Sequence, residues 1–231
     1  RADEPTNRAG KIPGRTELPI EEVATPNVFS IEDMEKFFDE SSKVFIKALI
    51  YRVINSQLDL TKAPHCADLK RVNDPSGDYY PLSYACVLIR GDLDVNEAKL
   101  AAALKASEVV LAETDEVLSI AGAPHGFVGP VTVKCPLIVD TSVVTTSADG
   151  RFEAVMHDAI AGSGKDGFHV KHVEPLRDFV PFINTDVRLV KAGDKCACCG
   201  GTFYTKKGNE LGHIFKLGHK YTKSMKVTFL G

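Results

Sequence analysis

The chain has 231 residues, of which 44% are hydrophobic and 26% are charged, as in a globular protein with a hydrophobic core. No apolar run approaches the roughly 20 residues that a membrane-spanning helix requires. The formal net charge of −3 is uneven, because residues 191–231 carry eight lysines against two acidic residues, a balance of +6 that leaves −9 for the rest. Non-specific coating of nucleic acid requires many cationic contacts with phosphates, so the acidic body argues against it, and we expect no membrane contact.

The first predicted helix follows a lead-in that contains several prolines. Residues 1–25 are predicted to form an extended linker, because prolines and charged residues outnumber apolar ones. Ser30 followed by Asp33 is typical of a helix N-terminus, where the serine oxygen accepts a free backbone N–H. Apolar residues within 34–38 supply one buried stripe for this short helix.

The remaining periodicity predicts more strands than helices. Strands are expected over 44–53, 82–90, 108–112, 131–139, 143–146 and 168–173, and helices over 95–104 and 114–122, with Thr114 as the cap of the second. Residues 54–80 are expected to be a long excursion between two strands. Because strands and helices do not alternate strictly, the pattern favours a mixed α+β fold over a doubly wound parallel fold.

A glycine-rich run at 162–167 matches G-x-G-x-x-G by letter. A dinucleotide site needs these glycines between a strand and a helix N-terminus, but residues 168–173 have the pattern of a strand. We interpret the run as a turn between two strands and expect no nucleotide cofactor there. The hydrolase signatures G-x-S-x-G and H-E-x-x-H do not occur in the sequence.

Three of the six cysteines cluster in Cys196-Ala197-Cys198-Cys199. The six do not form the framework of a small disulfide-rich secreted domain, so a reducing, cytoplasmic location is expected. Cys196 and Cys199, with His213 and His219, have the spacing of a Cys2His2 zinc site. A zinc-dependent nucleic-acid finger over residues 196–219 is one hypothesis, and chance spacing without metal is the other.

Two longer patterns resemble a known family. Residues 208–225 are similar to the G-x-E-x-G-H-I-F-x-L-G-x-K-Y-S-x-x-M stretch in the class II core of bacterial-type prolyl-tRNA synthetases, and residues 196–201 resemble its C-x-x-C-G-G linker. The preceding part, from about residue 22, resembles the editing domain inserted in that family. Its matching marks are Leu88–Asp92, Val95–Leu100, Gly126–Pro130, Asp166–His169 and Arg177–Phe179. The departures are His219 in place of a threonine, the extra Cys198 and the length of 54–80.

The resemblance implies a domain organisation and a fold. Residues 1–25 would be the lead-in linker, residues 26–190 the editing domain, and residues 191–231 the C-x-x-C linker with a fragment of the class II core. The fold would be similar to that of free-standing aminoacyl-tRNA deacylases, with a mixed, mostly antiparallel sheet or partial barrel and surrounding helices. The synthetase motifs that bind ATP are missing, so ATP and Mg²⁺ would serve only the parent enzyme, and this chain should not aminoacylate.

The resemblance also implies an activity. A pocket built for proline discriminates against smaller amino acids by only about 1–3 kcal/mol per methylene, so a second site must hydrolyse Ala-tRNA(Pro) while excluding proline by size. Hydrolysis itself would need no cofactor, and the partners would be the acceptor end of tRNA(Pro) and the rest of the synthetase. Alternatives are a Cys-tRNA(Pro) deacylase of the same fold, or a non-catalytic module that binds the CCA end or braces the synthetase core.

The family pattern assigns candidate site residues. The catalytic candidates are Lys99, Gly126, Gly129, Pro130 and His169, and the substrate-binding candidates are Asp140, Phe127 and Val128. In the G-x-x-x-P loop at 126–130, glycines would let backbone N–H groups approach the aminoacyl carbonyl. Lys99 would pair with the terminal phosphate or polarise the ester. His169 would bind the terminal ribose or the aminoacyl group, and Asp140 equally suits a turn after its strand.

Overall fold

The structure is a computed structural model that describes residues 2–3, 15–58, 72–73, 79–80, 82–196, 198–208 and 212. Most of the predicted excursion at 54–80 lies outside the described residues, as do His213, His219 and most of the segment 208–225. Within the part of the chain that is described, no helix is long and apolar enough to span a membrane.

Short strands and three α-helices make up the described chain. The strands are β1 (Ala2–Asp3), β2 (Glu21–Ala24), β3 (Phe45–Ile54), β4 (Val72–Asn73), β5 (Tyr79–Tyr80), β6 (Leu82–Arg90), β7 (Glu108–Leu111), β8 (Leu137–Asp140), β9 (Val144–Thr146), β10 (Phe152–Ala154), β11 (Ala159–Gly162), β12 (Phe168–Val173), β13 (Ile183–Thr185) and β14 (Lys195–Cys196). The helices are α1 (Ile31–Phe38), α2 (Glu97–Ala103) and α3 (Thr114–Ala121), and a 3₁₀ turn covers Ser42–Val44.

The central sheet has eight strands, in the order β13-β8-β6-β3-β11-β12-β2, with β7 also paired to β3. The β3–β6, β3–β7, β11–β12 and β12–β2 pairs are antiparallel, whereas β3–β11, β6–β8 and β8–β13 are parallel. The predicted α+β class with a mixed, mostly antiparallel sheet is confirmed. Two further hairpins, β4–β5 and β9–β10, and the pair β1–β14 lie outside this sheet.

The core lies on both faces of the sheet because β3 and β6 are apolar on both sides. Along β6, residues 85–89 are fully buried. Side chains alternate between faces, so Ile46, Ile50 and Leu88 pack in one cluster, while Tyr51 and Val87 pack in another. Helix α2 covers the second cluster through Leu100, which places this helix and the loop before it on that face.

The cap predicted for α1 is present. The Ser30 hydroxyl accepts a hydrogen bond from the Asp33 N–H at 3.1 Å, and the Asp33 carboxylate accepts one from the Ser30 N–H at 3.2 Å. For α3 the cap is Glu113 rather than Thr114, and the Glu113 N–H donates to Glu116 Oε2 at 2.9 Å. Thr114 is the first helical residue instead.

Several predicted boundaries were wrong. The strand expected over 131–139 covers only Leu137–Asp140, because residues 131–136 form turns that follow Pro130 and run up to Pro136. Helix α2 begins at Glu97 rather than at Val95, which forms a bridge with Arg188. Glu21–Ala24, within the predicted lead-in, pairs with β12 as an edge strand, and the boundary of the lead-in at 25/26 stays a prediction.

Candidate active site

His169, Gly162 and Lys47 lie in one row across the sheet. His169 on β12 is opposite Gly162 on β11, and Ala161 on β11 is level with Ile46 on β3, so the next residues, Gly162 and Lys47, are also level. Ile46 and Ala161 belong to the core cluster on one face. Because side chains alternate along strands, His169 and Lys47 project from the opposite face. Gly162 has no side chain, so it leaves room between them.

The His169 imidazole is buried, and only one of its two ring nitrogens has a hydrogen-bond partner among the described residues. Its Nδ1 lies 2.6 Å from the hydroxyl of the buried Thr25, and its ring packs 5.2 Å from the Phe127 ring and 6.3 Å from the Phe38 ring. Its Nε2 is buried without a hydrogen-bond partner among the described residues. Burial lowers the pKa of His169, and the nearby Gly126 backbone opposes this shift. The imidazole is therefore neutral at pH 7, with Nε2 as its unused nitrogen.

The G-x-x-x-P loop covers the gap above Gly162. A Cβ on Gly162 would lie 2.3 Å from the Val128 carbonyl oxygen, and a Cβ on Gly129 would lie 1.9 Å from the Gly162 carbonyl oxygen. Gly126 has a φ of +90° and sits against the Phe29 backbone. These glycines are required for the loop to approach the end of β11 this closely.

Backbone N–H groups of this loop are unused. The Phe127 N–H donates to the Pro124 carbonyl at 3.2 Å, and the Phe127 carbonyl accepts from Gly164 at 2.8 Å. The N–H groups of Gly126, Val128 and Gly129 make no hydrogen bond to any described residue. Gly126 is exposed, whereas residues 127–130 are buried. Such free, pre-oriented donors can stabilise an oxyanion.

Lys47 is a candidate residue that the sequence reasoning missed. Its Nζ lies 3.2 Å from Asp94 Oδ1, and its side chain is 20% exposed. The signal was available, since a lysine interrupts the apolar run Phe45–Tyr51 of a central strand, where charged residues are rarely found without a partner. The resemblance had directed attention to Lys99 instead.

Lys99 and Asp140 are joined to a different segment, the one that follows β13. Lys99 Nζ donates to Asp186 Oδ2 and to the Arg188 carbonyl, each at 3.0 Å. The buried Asp140 accepts hydrogen bonds from the N–H groups of Ser142 and Val187, each at 2.8 Å. These bonds connect Lys99 and Asp140 to the segment that follows β13. The proposed roles of both side chains with substrate stay predictions.

A cavity of about 120 Å³ has Phe38 in its wall, and the Phe38 ring lies 6.3 Å from the ring of His169. Its lining is formed by Phe38, Glu40, Val44, Asp158, Ile160, Lys171 and His172. None of the predicted site residues lines it, although Phe38 is shared with the His169 environment.

The C-x-x-C segment forms a tight turn. The Cys196 carbonyl accepts a hydrogen bond from Gly200 and its N–H donates to Gly201, each at 2.8 Å. The N–H groups of Cys198 and Cys199 lower the pKa of the Cys196 thiol. Among the described residues no group of three or more potential metal ligands occurs. Because His213 and His219 lie outside them, metal binding at Cys196 and Cys199 stays a prediction.

The glycine-rich run at 162–167 connects β11 and β12, as predicted. β11 ends at Gly162 and the antiparallel β12 begins at Phe168. Gly164 and Gly167 have φ angles of +79° and +75°, which a turn between these strands requires.

Comparison with known proteins places the chain in a family. Residues 25–179 match the family model described as an aminoacyl-tRNA editing domain. The proline–tRNA ligase of Treponema denticola is 47% identical over 96% of this chain and 34% of that protein, and that of Brachyspira hyodysenteriae is 39% identical over 93% and 31%. The chain thus spans about a third of the length of these relatives.

The similarity to solved structures is weaker than the similarity to these relatives. One described as a putative trans-editing enzyme for prolyl tRNA synthetase is 12% identical, with a TM-score of 0.42, over 67% of this chain and 76% of that chain. This likeness is too slight to support a function. The family match covers more than half of the chain, and the relatives confirm the resemblance found in the sequence. The chain belongs to the aminoacyl-tRNA editing domain family.

Proposed function

We propose that the chain is an editing deacylase that hydrolyses the ester of Ala-tRNA(Pro) and spares Pro-tRNA(Pro). The observation that carries this proposal is the row of His169, Gly162 and Lys47, with the 126–130 loop lying against Gly162 and keeping unused N–H groups at Gly126, Val128 and Gly129. The row supplies a neutral imidazole and an ammonium, and the loop supplies oxyanion donors; together these groups suit hydrolysis of an already activated ester.

The loop N–H groups are the proposed oxyanion donors. Water adds to the aminoacyl carbonyl, and the negative charge that develops on its oxygen is stabilised by the N–H groups of Gly126, Val128 or Gly129. The C–O bond to the ribose then breaks, and the ribose oxygen leaves as a hydroxyl after taking up the proton that the attacking water lost. Pro130 fixes the backbone at the end of the loop, so the donors stay oriented without substrate.

His169 is the proposed contact for the terminal ribose or the aminoacyl group. Thr25 holds Nδ1, so Nε2 is the nitrogen that faces the substrate. Because Nε2 is buried, substrate contact requires a rearrangement of its surroundings, in which the Phe127 and Phe38 rings pack near the imidazole. These two rings are also the proposed walls that exclude proline by size.

Lys47 is the proposed cation for the substrate. An ammonium in this row can pair with the phosphate of the terminal nucleotide or polarise the ester carbonyl. Lys99, the lysine assigned from the family pattern, is the alternative, although Asp186 and the Arg188 carbonyl already engage its ammonium. The proposed partners are the acceptor end of tRNA(Pro) and the remainder of a proline–tRNA ligase. No cofactor is proposed for the hydrolysis.

The test is a substrate panel. The purified chain is incubated with Ala-tRNA(Pro), Cys-tRNA(Pro) and Pro-tRNA(Pro), and release of each amino acid is followed. We expect alanine to be released and proline to remain attached. Selective release of cysteine would instead favour the Cys-tRNA(Pro) deacylase. Binding of all three without turnover would contradict catalysis and favour the module that presents the CCA end.

A further inference from the structure

Asp94 bridges two lysines beside the candidate active site. This residue lies in the loop between β6 and α2. Its Oδ1 is 3.2 Å from Lys47 Nζ, and its Oδ2 is 2.9 Å from Lys191 Nζ. Lys191 Nζ also donates to the Asp92 carbonyl at 3.1 Å. Two ammonium groups on either side of one carboxylate leave a net charge of +1, so the group still attracts a phosphate.

The Asp94 backbone is held firmly. Its carbonyl accepts a hydrogen bond from the Leu189 N–H at 2.7 Å. Val95, the next residue, bridges Arg188, and the Asn96 N–H donates to the Val187 carbonyl at 2.8 Å. The loop is therefore paired along its length with the segment that follows β13. An aspartate has few rotamers, so its carboxylate is a fixed point for the two longer side chains.

A lysine at the candidate site needs such a fixed point. The flexible four-carbon stem of a lysine carries about 2 kcal/mol of rotamer entropy. An ammonium that samples many positions has a weaker electrostatic effect on a reacting group than one held in place. The only hydrogen bond that the Lys47 ammonium makes with a described residue is the one to Asp94. The direction in which Lys47 extends from β3 is therefore set by Asp94.

We infer that Asp94 is a positioning residue, which holds the Lys47 ammonium at the editing site and links it to Lys191. Lys191 belongs to the segment predicted to connect the editing domain with the synthetase core, so the site is tied to that segment through one carboxylate. This inference rests on the proposed function, because its measured effect is on hydrolysis of the aminoacyl ester.

The test is single-turnover hydrolysis of Ala-tRNA(Pro) by the purified chain. Asp94→Asn keeps the shape and removes the charge, and we expect its rate to fall about tenfold, since a misplacement of about 1 Å can cost on the order of a hundredfold. Asp94→Glu, which restores the carboxylate, should recover part of the rate. Asp149→Asn is the matched control, an exposed aspartate in the turn between β9 and β10, and its rate should equal that of the wild type.

A double-mutant cycle separates positioning from a general structural role. If Asp94 acts through Lys47, then Asp94→Asn has no further effect in a Lys47→Met background. A further loss there, or a wild-type rate in Asp94→Asn alone, would overturn the inference. Thermal denaturation shows whether each variant is folded. Should Asp94→Asn not fold, Lys191→Met takes its place, with a smaller loss expected that also vanishes in the Lys47→Met background and an unchanged rate counting against the inference.

No hydrolysis by the wild-type chain of any aminoacyl-tRNA(Pro) would be a different failure. That result would contradict the proposed function itself, whereas an active wild type with an unaffected Asp94→Asn variant would contradict only the role of Asp94.

Discussion

The orientation of His169 depends on one hydroxyl. Thr25 and His169 are both buried, and their Oγ1 and Nδ1 atoms are 2.6 Å apart. We expect Thr25→Val to destabilise the fold by about 1–3 kcal/mol, because the valine removes the partner of a buried ring nitrogen. Urea denaturation measures this loss. Thr25→Ser keeps a hydroxyl and should recover most of it, and equal stability of the valine and serine variants would refute the contact.

A second residue-scale prediction concerns acid stability. Burial opposes ionisation of Glu116, but hydrogen bonds from Arg52 and Tyr84 outweigh it and lower the pKa of Glu116 to about 2. Because this pKa is lower in the folded chain than in the unfolded chain, the stabilisation is complete above about pH 5 and is lost as the pH falls towards 2. Glu116→Gln should lose about 2 kcal/mol at pH 7 and little at pH 2.

The free energy of unfolding of the wild-type chain and of Glu116→Gln, measured from pH 7 down to pH 2, checks this prediction. The two curves should converge as the pH falls, and a constant separation between them would contradict the role of the Glu116 charge.

The sequence identified part of the site at this scale. His169 and the 126–130 loop were found by resemblance, and the structure brings them together. A lysine within the apolar run of β3 was a local signal for Lys47, but its alignment with Gly162 and His169 depends on the parallel pairing of β3 with β11, which no local pattern reveals. The same limitation applies to Thr25, whose contact with His169 joins residues 144 positions apart.

At the scale of elements, the 126–130 loop depends on close backbone approach. A methyl group on Gly129 would meet the Gly162 carbonyl oxygen at 1.9 Å, and neither backbone segment can move aside easily. We expect Gly129→Ala to destabilise the fold by about 1–3 kcal/mol and to abolish hydrolysis, because the loop donors are displaced. Gly208→Ala is the control, since nothing lies within 4 Å of its Cβ. Chemical denaturation and the hydrolysis assay together measure both effects.

Elements with strong local signals were predicted well. The capping box predicted for α1 is present, and β6 and β12 were both predicted to the residue. Elements defined by pairing were missed. β2 contains two glutamates and β11 two alanines, so neither has the composition of a strand, and both exist because β12 and β3 supply partners.

At the scale of the whole molecule, the charge distribution predicts how many RNA phosphates the chain contacts. Two lysines, Lys47 and Lys191, share Asp94 at the candidate site, while residues 1–190 carry a net −9. Few phosphate contacts should therefore form. The logarithm of the binding constant for single-stranded acceptor-end RNA should fall with the logarithm of salt concentration at a slope near −0.7 to −1.4, about −0.7 per contact. Fluorescence anisotropy over a salt series measures this slope, and one steeper than about −4 would indicate binding by the basic C-terminal segment instead.

The two faces of the central sheet differ in what they carry. Both faces carry a core cluster, and the face that α2 covers also carries the row of His169, Gly162 and Lys47. The α+β class followed from the sequence, but the strand order did not, because β3–β11 and β8–β13 pair across long stretches of chain. The domain boundaries at 25/26 and 190/191 and the cytoplasmic location stay predictions.

The most direct test of the candidate site compares two lysines. Hydrolysis of Ala-tRNA(Pro) is measured for the wild-type chain, Lys47→Met and Lys99→Met, with Pro-tRNA(Pro) as the substrate to be spared. If the row is the editing site, Lys47→Met lowers the rate by about a hundredfold or more, on the scale of losing one electrostatic stabiliser, and Lys99→Met changes it little. A large loss in Lys99→Met with an unaffected Lys47→Met would contradict this placement of the site.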